Sequence, residues 1–133
     1  MSAADANKPV VLVVEDDDQI AYLIQFILEQ DGYRVQRAAD GKAAQQIIAG
    51  MKAPALVTLD ISLPHVQGDE LMLLVRSQPG WENVPVLMVT ARPKDKDMPW
   101  AIKSGAQGYI VKPFKPEELR ERVRKLLGAK PAA

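Results

Sequence analysis

Cysteine is absent from the 133 residues, which excludes a disulfide scaffold, a thiolate metal cluster and a thiol nucleophile. Net charge is absent too, with 17 Lys and Arg against 17 Asp and Glu. A chain without an electropositive excess lacks the footprint for non-specific nucleic-acid binding and for a polybasic membrane anchor. Long apolar runs are missing: the run Val10–Val14 falls far short of the roughly 20 residues that span a bilayer. The stretch from Met1 to Pro9 contains Asp5 and no apolar segment, so it does not read as a signal peptide. No internal repeat and no long linker divides the chain. These absences leave a soluble intracellular globular domain, compatible with a reducing cytoplasm and without membrane or nucleic-acid partners. A chain this long buries roughly two thirds of its unfolded surface and needs no staples.

What is present is an alternation of two hydrophobic periods. Val10–Val14 is a continuous β-branched run, expected for a strand buried on both faces. Ile20, Leu23, Ile24, Ile27 and Leu28 recur at helical spacing, with Asp18 as expected N-cap and Gly32 as stop. Residues 33–37 alternate as a strand nearer an edge, and residues 40–51 read as a helix. Pro54 introduces a strand over 55–59, residues 68–77 form a helix, and Pro85 opens a strand over 86–89. A short helix over 101–104 stops at Gly105. Residues 109–111 are the fifth strand, and Pro116 sits near the first turn of a last helix over 116–127. Five strands alternating with five helices imply right-handed crossovers and an α/β fold: a doubly wound, three-layer (βα)5 parallel sheet with helices on both faces. The expected domain covers residues 9–128, with tails over 1–8 and 129–133.

Open parallel sheets place their sites beyond the carboxyl ends of the strands. Glu15, Asp16, Asp17 and Asp18 follow the first strand, Asp60 the third, Thr90 the fourth and Lys112 the fifth. Two carboxylates about 4 Å apart repel by about 4 kcal/mol at an effective dielectric near 20, so such a cluster calls for a cation. Carboxylate oxygens with no His or Cys beside them suit a hard ion, above all Mg²⁺, which accepts a few carboxylates plus waters and phosphate. Lys112 then supplies a point charge for a phosphoryl group and Thr90 a hydrogen bond. Asp17 and Asp18 are ordinary helix-capping residues. Asp60 has no helix start to cap.

The stretches Val-Val-Glu-Asp-Asp at 13–17, Val-Thr-Leu-Asp-Ile-Ser-Leu-Pro at 57–64, Val-Thr-Ala at 89–91 and Tyr-Ile-Val-Lys-Pro-Phe at 109–114 together resemble the response-regulator receiver domain of two-component signalling. The likeness runs from about Val10 to Leu127. It implies a CheY-like, flavodoxin-like fold with strand order 2-1-3-4-5. It implies Asp60 as phosphoacceptor, and as ligands of Mg²⁺ (Mn²⁺ as substitute) Asp16, Asp60, the Ser62 backbone carbonyl and, mostly through water, Glu15. Thr90, Ala91 and Lys112 would hold the phosphoryl group, with Tyr109 as an aromatic switch and Lys112–Pro113 as a cis peptide. Ser62 and Arg92 occupy positions that modulate phosphoryl lifetime; Arg92 either reaches over the site or points to solvent. The implied donor is a sensor histidine kinase or histidine phosphotransfer protein, and the output a changed protein-interaction surface, with weak dimerisation through the face of the fourth helix, fifth strand and fifth helix. No turnover of an external substrate is implied. A stand-alone regulator is the expected form, and a piece of a longer regulator or hybrid kinase the alternative.

Several features stand apart. His65 reads as a solvated loop residue and not a phosphodonor. Pro99 confines the fourth helix to a short stretch, from Met98 to Ser104 with Asp97 as N-cap, which departs from the family pattern over Arg92–Trp100. Trp100 and Trp81 read as structural. The acids at the start and bases at the end of the last helix suit its dipole. A Mg²⁺-dependent aspartyl-phosphate phosphatase is disfavoured because Ser62 stands where such enzymes place a second acid. A mononucleotide binder is disfavoured because the loop after the first strand is acidic where phosphate would have to sit.

Overall fold

The β-branched run at the start of the chain forms β1 (Val10–Val14), buried along nearly its whole length. Around it stand β2 (Arg34–Ala38), β3 (Leu56–Leu59), β4 (Val86–Thr90) and β5 (Gly108–Val111). All pairings are parallel, in the order β2-β1-β3-β4-β5. The helices are α1 (Asp18–Gln30), α2 (Gly41–Gly50), α3 (Gly68–Ser77), α4 (Lys94–Ser104) and α5 (Pro116–Leu127). This computed structural model describes residues 8–60, 68–92 and 94–128. Both tails (except Lys8), Pro93 and the loop containing Ser62 and His65 lie outside the described residues.

Strand alternation sorts the apolar residues into two cores. Val11, Val13, Leu56, Leu87, Val89 and Ile110 face α1 and α5, where they meet Ile24, Ile27, Leu28, Leu119 and Val123. Leu12, Val14, Val57, Leu59, Val86 and Met88 face α2, α3 and α4, against Ile48, Leu71, Met72 and Ala101. The α/β three-layer architecture and strand order expected from the sequence are therefore those of the structure. Among the described residues no helix is long and apolar enough to cross a membrane.

Three local expectations change. Asp17, not Asp18, caps α1: its Oδ1 accepts from the Ile20 N–H at 3.0 Å, and Asp18 is the first helical residue. Composition cannot separate neighbouring aspartates that differ only in which carboxylate the entering backbone turns toward the free N–H groups. Asp40 likewise caps α2 through the Ala43 N–H. The largest change is α4, which begins at Lys94, so Asp97 and Pro99 lie inside the helix. Proline removes a single backbone donor, and Pro99 is exposed, so the helix continues through it with its ring toward solvent.

The far end of α4 is held by a side chain that no periodicity announces. Arg76 of α3 donates to the carbonyls of Val84 at 2.7 Å, of Trp81 and Glu82 at 3.3 Å, and of Gly105. It also reaches Gln107 Oε1 at 3.1 Å, which accepts from the Val86 N–H at 2.7 Å. Gly105 adopts φ +115°, and a Cβ there would stand 2.9 Å from Arg76 Nε. Both the backbone and the guanidinium thus require glycine. Trp81 is fully buried and Trp100 packs half-buried against the same core.

Candidate functional site

Parallel register brings the strand ends level. Val14 pairs with Leu59, and Thr90 with Val111, so Glu15 and Asp60 emerge side by side and Lys112 emerges next to Thr90. Backbone bonds continue just past the strand ends: the Asp60 N–H donates to the Val14 carbonyl, Glu15 to Ala38 and Lys112 to Thr90, at 3.2, 3.1 and 2.8 Å. These bonds fix where each functional side chain starts.

Glu15 and Asp60 are buried, at 1% and 5% exposure. Lys112 Nζ lies between them, 2.6 Å from Glu15 Oε1 and 2.7 Å from Asp60 Oδ2. Asp16 is exposed, and one oxygen from each of Glu15, Asp16 and Asp60 falls within 4.8 Å of the others. Three negative charges thus face one ammonium. Burial pushes the Glu15 carboxyl above its ordinary pKa, against the opposing bonds from Lys112 and the Asp17 N–H. For Lys112, burial favours the neutral amine, but its bonds to Asp60 and Glu15 outweigh that and hold its pKa above the ordinary value. The lysine is therefore a permanent cation at neutral pH, and it cannot balance three carboxylates alone.

The donor set fits a hard divalent cation. Its described donors are all carboxylate oxygens, one from each of three acids, and a carboxylate offers more acceptor sites than Lys112 and the Asp17 N–H occupy on Glu15. The exposed Asp16 gives access for ion and waters. An open cleft of about 540 Å³ leads to the site, acidic along Glu15, Asp16 and Asp17 and apolar along Ile20, Leu23 and Phe114. A larger hollow of about 960 Å³ at the opposite end of the strands, against Pro9, Tyr33, Met51 and Pro54, contains none of these residues.

Thr90 is fully buried, and its Oγ1 accepts from the Arg92 N–H at 3.3 Å. Ala91 lines the cleft, and Arg92 is exposed. Tyr109, also fully buried, donates its O–H to the Arg92 carbonyl at 3.1 Å, so the ring is an inward-facing core residue and not a half-buried one on an outer strand. The Lys112–Pro113 peptide is cis. Ser62 lies outside the described residues. Sequence reasoning missed Arg37 of β2, whose guanidinium donates to the carbonyls of Glu15 and Asp16. Main-chain acceptors carry no sequence signature, so no motif pointed to it.

The sequence model of the response regulator receiver domain matches residues 11–124. Among curated proteins, the DNA-binding dual master transcriptional regulator RpaA of Synechocystis sp. is 39% identical over 119 residues, covering 90% of this chain and 49% of that protein. The phosphate regulon transcriptional regulatory protein PhoB of Rhizobium meliloti is 37% identical, covering 90% and 52%. The chain spans about half the length of the curated relatives it matches. Among solved structures, the chemotaxis response regulator CheY4 of Vibrio cholerae superimposes with a TM-score of 0.84 at 30% identity, covering 90% of this chain and 99% of that one. The receiver domain of sensor histidine kinase PA1611 from Pseudomonas aeruginosa, with a magnesium ion coordinated in its active-site cleft, gives 0.81 at 28% identity, covering 92% and 99%.

Proposed function

The chain belongs to the response regulator receiver family, and from that premise we propose that Asp60 is its phosphoacceptor, within a receiver unit spanning residues 9–128. One observation carries the reading: Lys112 Nζ bridges two buried carboxylates, Glu15 and Asp60, at the carboxyl edge of the sheet. A buried trio of this kind is a poor stabilising device, because desolvating the charges offsets much of their attraction. It suits a site that awaits more charge.

In the transfer, an Asp60 carboxylate oxygen attacks the phosphorus of a phosphohistidine on a histidine kinase or phosphotransfer protein. The P–O bond forms as the P–N bond breaks, and the electron pair returns to the leaving imidazole. Asp16, Asp60, the Ser62 carbonyl and, mostly through water, Glu15 would hold Mg²⁺, which would supply neutralising charge for the phosphoryl oxygens. Lys112 orients the same oxygens as a fixed cation, and Thr90 donates its hydroxyl to them. Ala91 adds backbone beside Thr90, and Ser62 and Arg92 set how readily water reaches the acyl phosphate. The charged product alters the surface around α4, β5 and α5, which is the output and the face for weak self-association. The protein works in the cytoplasm as a signalling switch, without turnover of an external substrate.

Incubation with acetyl phosphate and Mg²⁺ tests this. The wild type is expected to gain one base-labile phosphoryl group by intact-mass analysis, chelation of Mg²⁺ to suppress the gain, and Asp60→Asn to show none. Equal uptake by Asp60→Asn would place the acceptor elsewhere.

A further inference from the structure

We propose that Arg37 is a positioning residue for the acidic loop, holding Glu15 and Asp16 in the arrangement that binds the cation. This deepens the reading of Asp60 and its Mg²⁺ site, and rests on it. Arg37 stands on the edge strand β2, in register with Val13 of β1, and its side chain crosses the end of β1. Nε and Nη2 donate to the Glu15 carbonyl at 3.2 and 3.0 Å, and Nη2 approaches the Asp16 carbonyl at 3.3 Å. Nη2 also lies 2.8 Å from Asp18 Oδ1. One planar fork thus ties Glu15 and Asp16 of the β1–α1 loop through their main chain and Asp18, the first residue of α1, through its carboxylate.

The main-chain bonds matter most. They restrain the peptide groups of Glu15 and Asp16, and so the direction in which both side chains leave the backbone. Outer partners that orient ligands in this way commonly change metal affinity when removed. An opposing effect must be weighed, since a guanidinium near a cation site repels the cation. Asp18 answers it: the Arg37–Asp18 pair is neutral overall, and at 28% and 89% side-chain exposure it is screened by solvent. The same pairing turns Asp18 toward β2. Positioning therefore outweighs repulsion, and a lysine replaces the fork only in part, because it lacks the Nε that shares the Glu15 carbonyl with Nη2 and the planar geometry that fixes both.

Calorimetric titration of metal-free protein with MgCl₂ reads the effect. Arg37→Ala is expected to weaken Mg²⁺ binding about tenfold, the usual lower bound for such partners. Arg37→Lys is expected to recover only part of it, and Asp18→Asn, which unmasks a solvent-screened repulsion but keeps the main-chain bonds, to lose clearly less than Arg37→Ala. Phosphorylation of Arg37→Ala by acetyl phosphate should return toward the wild-type rate at saturating Mg²⁺, which a general structural defect would not allow. Unchanged or tighter Mg²⁺ binding by Arg37→Ala overturns the proposal, as does an equal loss in Asp18→Asn. Should Arg37→Ala fail to fold, Arg37→Lys decides: several-fold weaker binding supports positioning, and wild-type affinity refutes it. If the wild type takes up no Mg²⁺, the reading of the site falls and the proposal with it. A failure confined to the Arg37 variants leaves phosphorylation of Asp60 standing.

Discussion

Glu15 contributes charge at a position where the fold would prefer a neutral group. Its raised pKa, caused first by burial and only partly opposed by Lys112, means that the folded protein binds a proton more readily there than the unfolded chain does. Stability is then lost as pH rises from the unfolded value of 4.5 through the folded one, and the loss is complete above it. Lys112, also raised, has the same direction of pH dependence in a higher window: its contribution is fully present below 10.5 and is lost as pH rises from there through its folded value, so it stays constant over the acid range. Glu15→Gln is therefore expected to unfold at higher urea than wild type when both are metal-free at pH 7. The gap should close as pH falls toward 4.5, and saturating Mg²⁺ should narrow or reverse it by stabilising wild type more than the variant. A glutamine variant weaker than wild type throughout would show that Lys112 outweighs burial. Glu15, Asp16, Asp60, Thr90 and Lys112 were all legible in the sequence because each follows or closes a strand of recognisable pattern. Arg37 and Arg76 were not, since long side chains that seek carbonyls obey no period.

At the scale of elements, the boundaries that sequence patterning placed well are those with a covalent or steric signal. Pro116 opens α5 and its apolar spacing ends with Leu127, and the expected span is the observed one. The β-branched run likewise delimits β1. α4 escaped because the helix-breaking tendency of Pro99 is local, whereas the helix is held from outside: Ala101 is buried in the core and Arg76 binds the Gly105 carbonyl beyond its last turn. Arg76 therefore governs this element from another one. Burial lowers its pKa, yet a guanidinium remains charged at any ordinary pH. Arg76→Ala strands several part-buried carbonyls, and at about 1–3 kcal/mol for a buried acceptor left unsatisfied, with water recovering some of them, a loss of about 2–4 kcal/mol is expected. Urea unfolding measures the total, and amide exchange should quicken over residues 81–86 and 101–107. Phosphorylation by acetyl phosphate should persist in the folded fraction. A loss under about 0.5 kcal/mol, the range of ordinary surface substitutions, would show that solvent serves these carbonyls equally well.

Across the whole molecule, the site occupies the edge where the two cores meet, and one thread of bonds leads from it toward the α4 side. Thr90 closes β4, its hydroxyl accepts from the Arg92 N–H, and the Arg92 carbonyl accepts from Tyr109, which is packed in the core shared with α4. A phosphoryl group on Asp60 that draws the Thr90 hydroxyl toward itself uses the O–H donor, but the displacement lengthens the bond that Oγ1 accepts from Arg92. The modification shifts the remote face only by its difference in interaction with the two arrangements. A neutral hydrogen bond is worth about 0.5–1.5 kcal/mol, so exchanging one changes a conformational ratio by a factor of about 2 to 12 on its own. That is sufficient for a graded signal if α4 has two arrangements of similar energy. Thr90→Ala removes the hydroxyl while keeping Asp60 and Lys112, and it is expected still to accept the phosphoryl group from acetyl phosphate. Hydrogen exchange over residues 94–104 should change on phosphorylation of the wild type and stay constant in the variant. Tyr109→Phe, which keeps the buried ring and loses the donor, should show an intermediate response. If Thr90→Ala transmits the change as fully as wild type, the signal reaches α4 through the sheet and not along this thread.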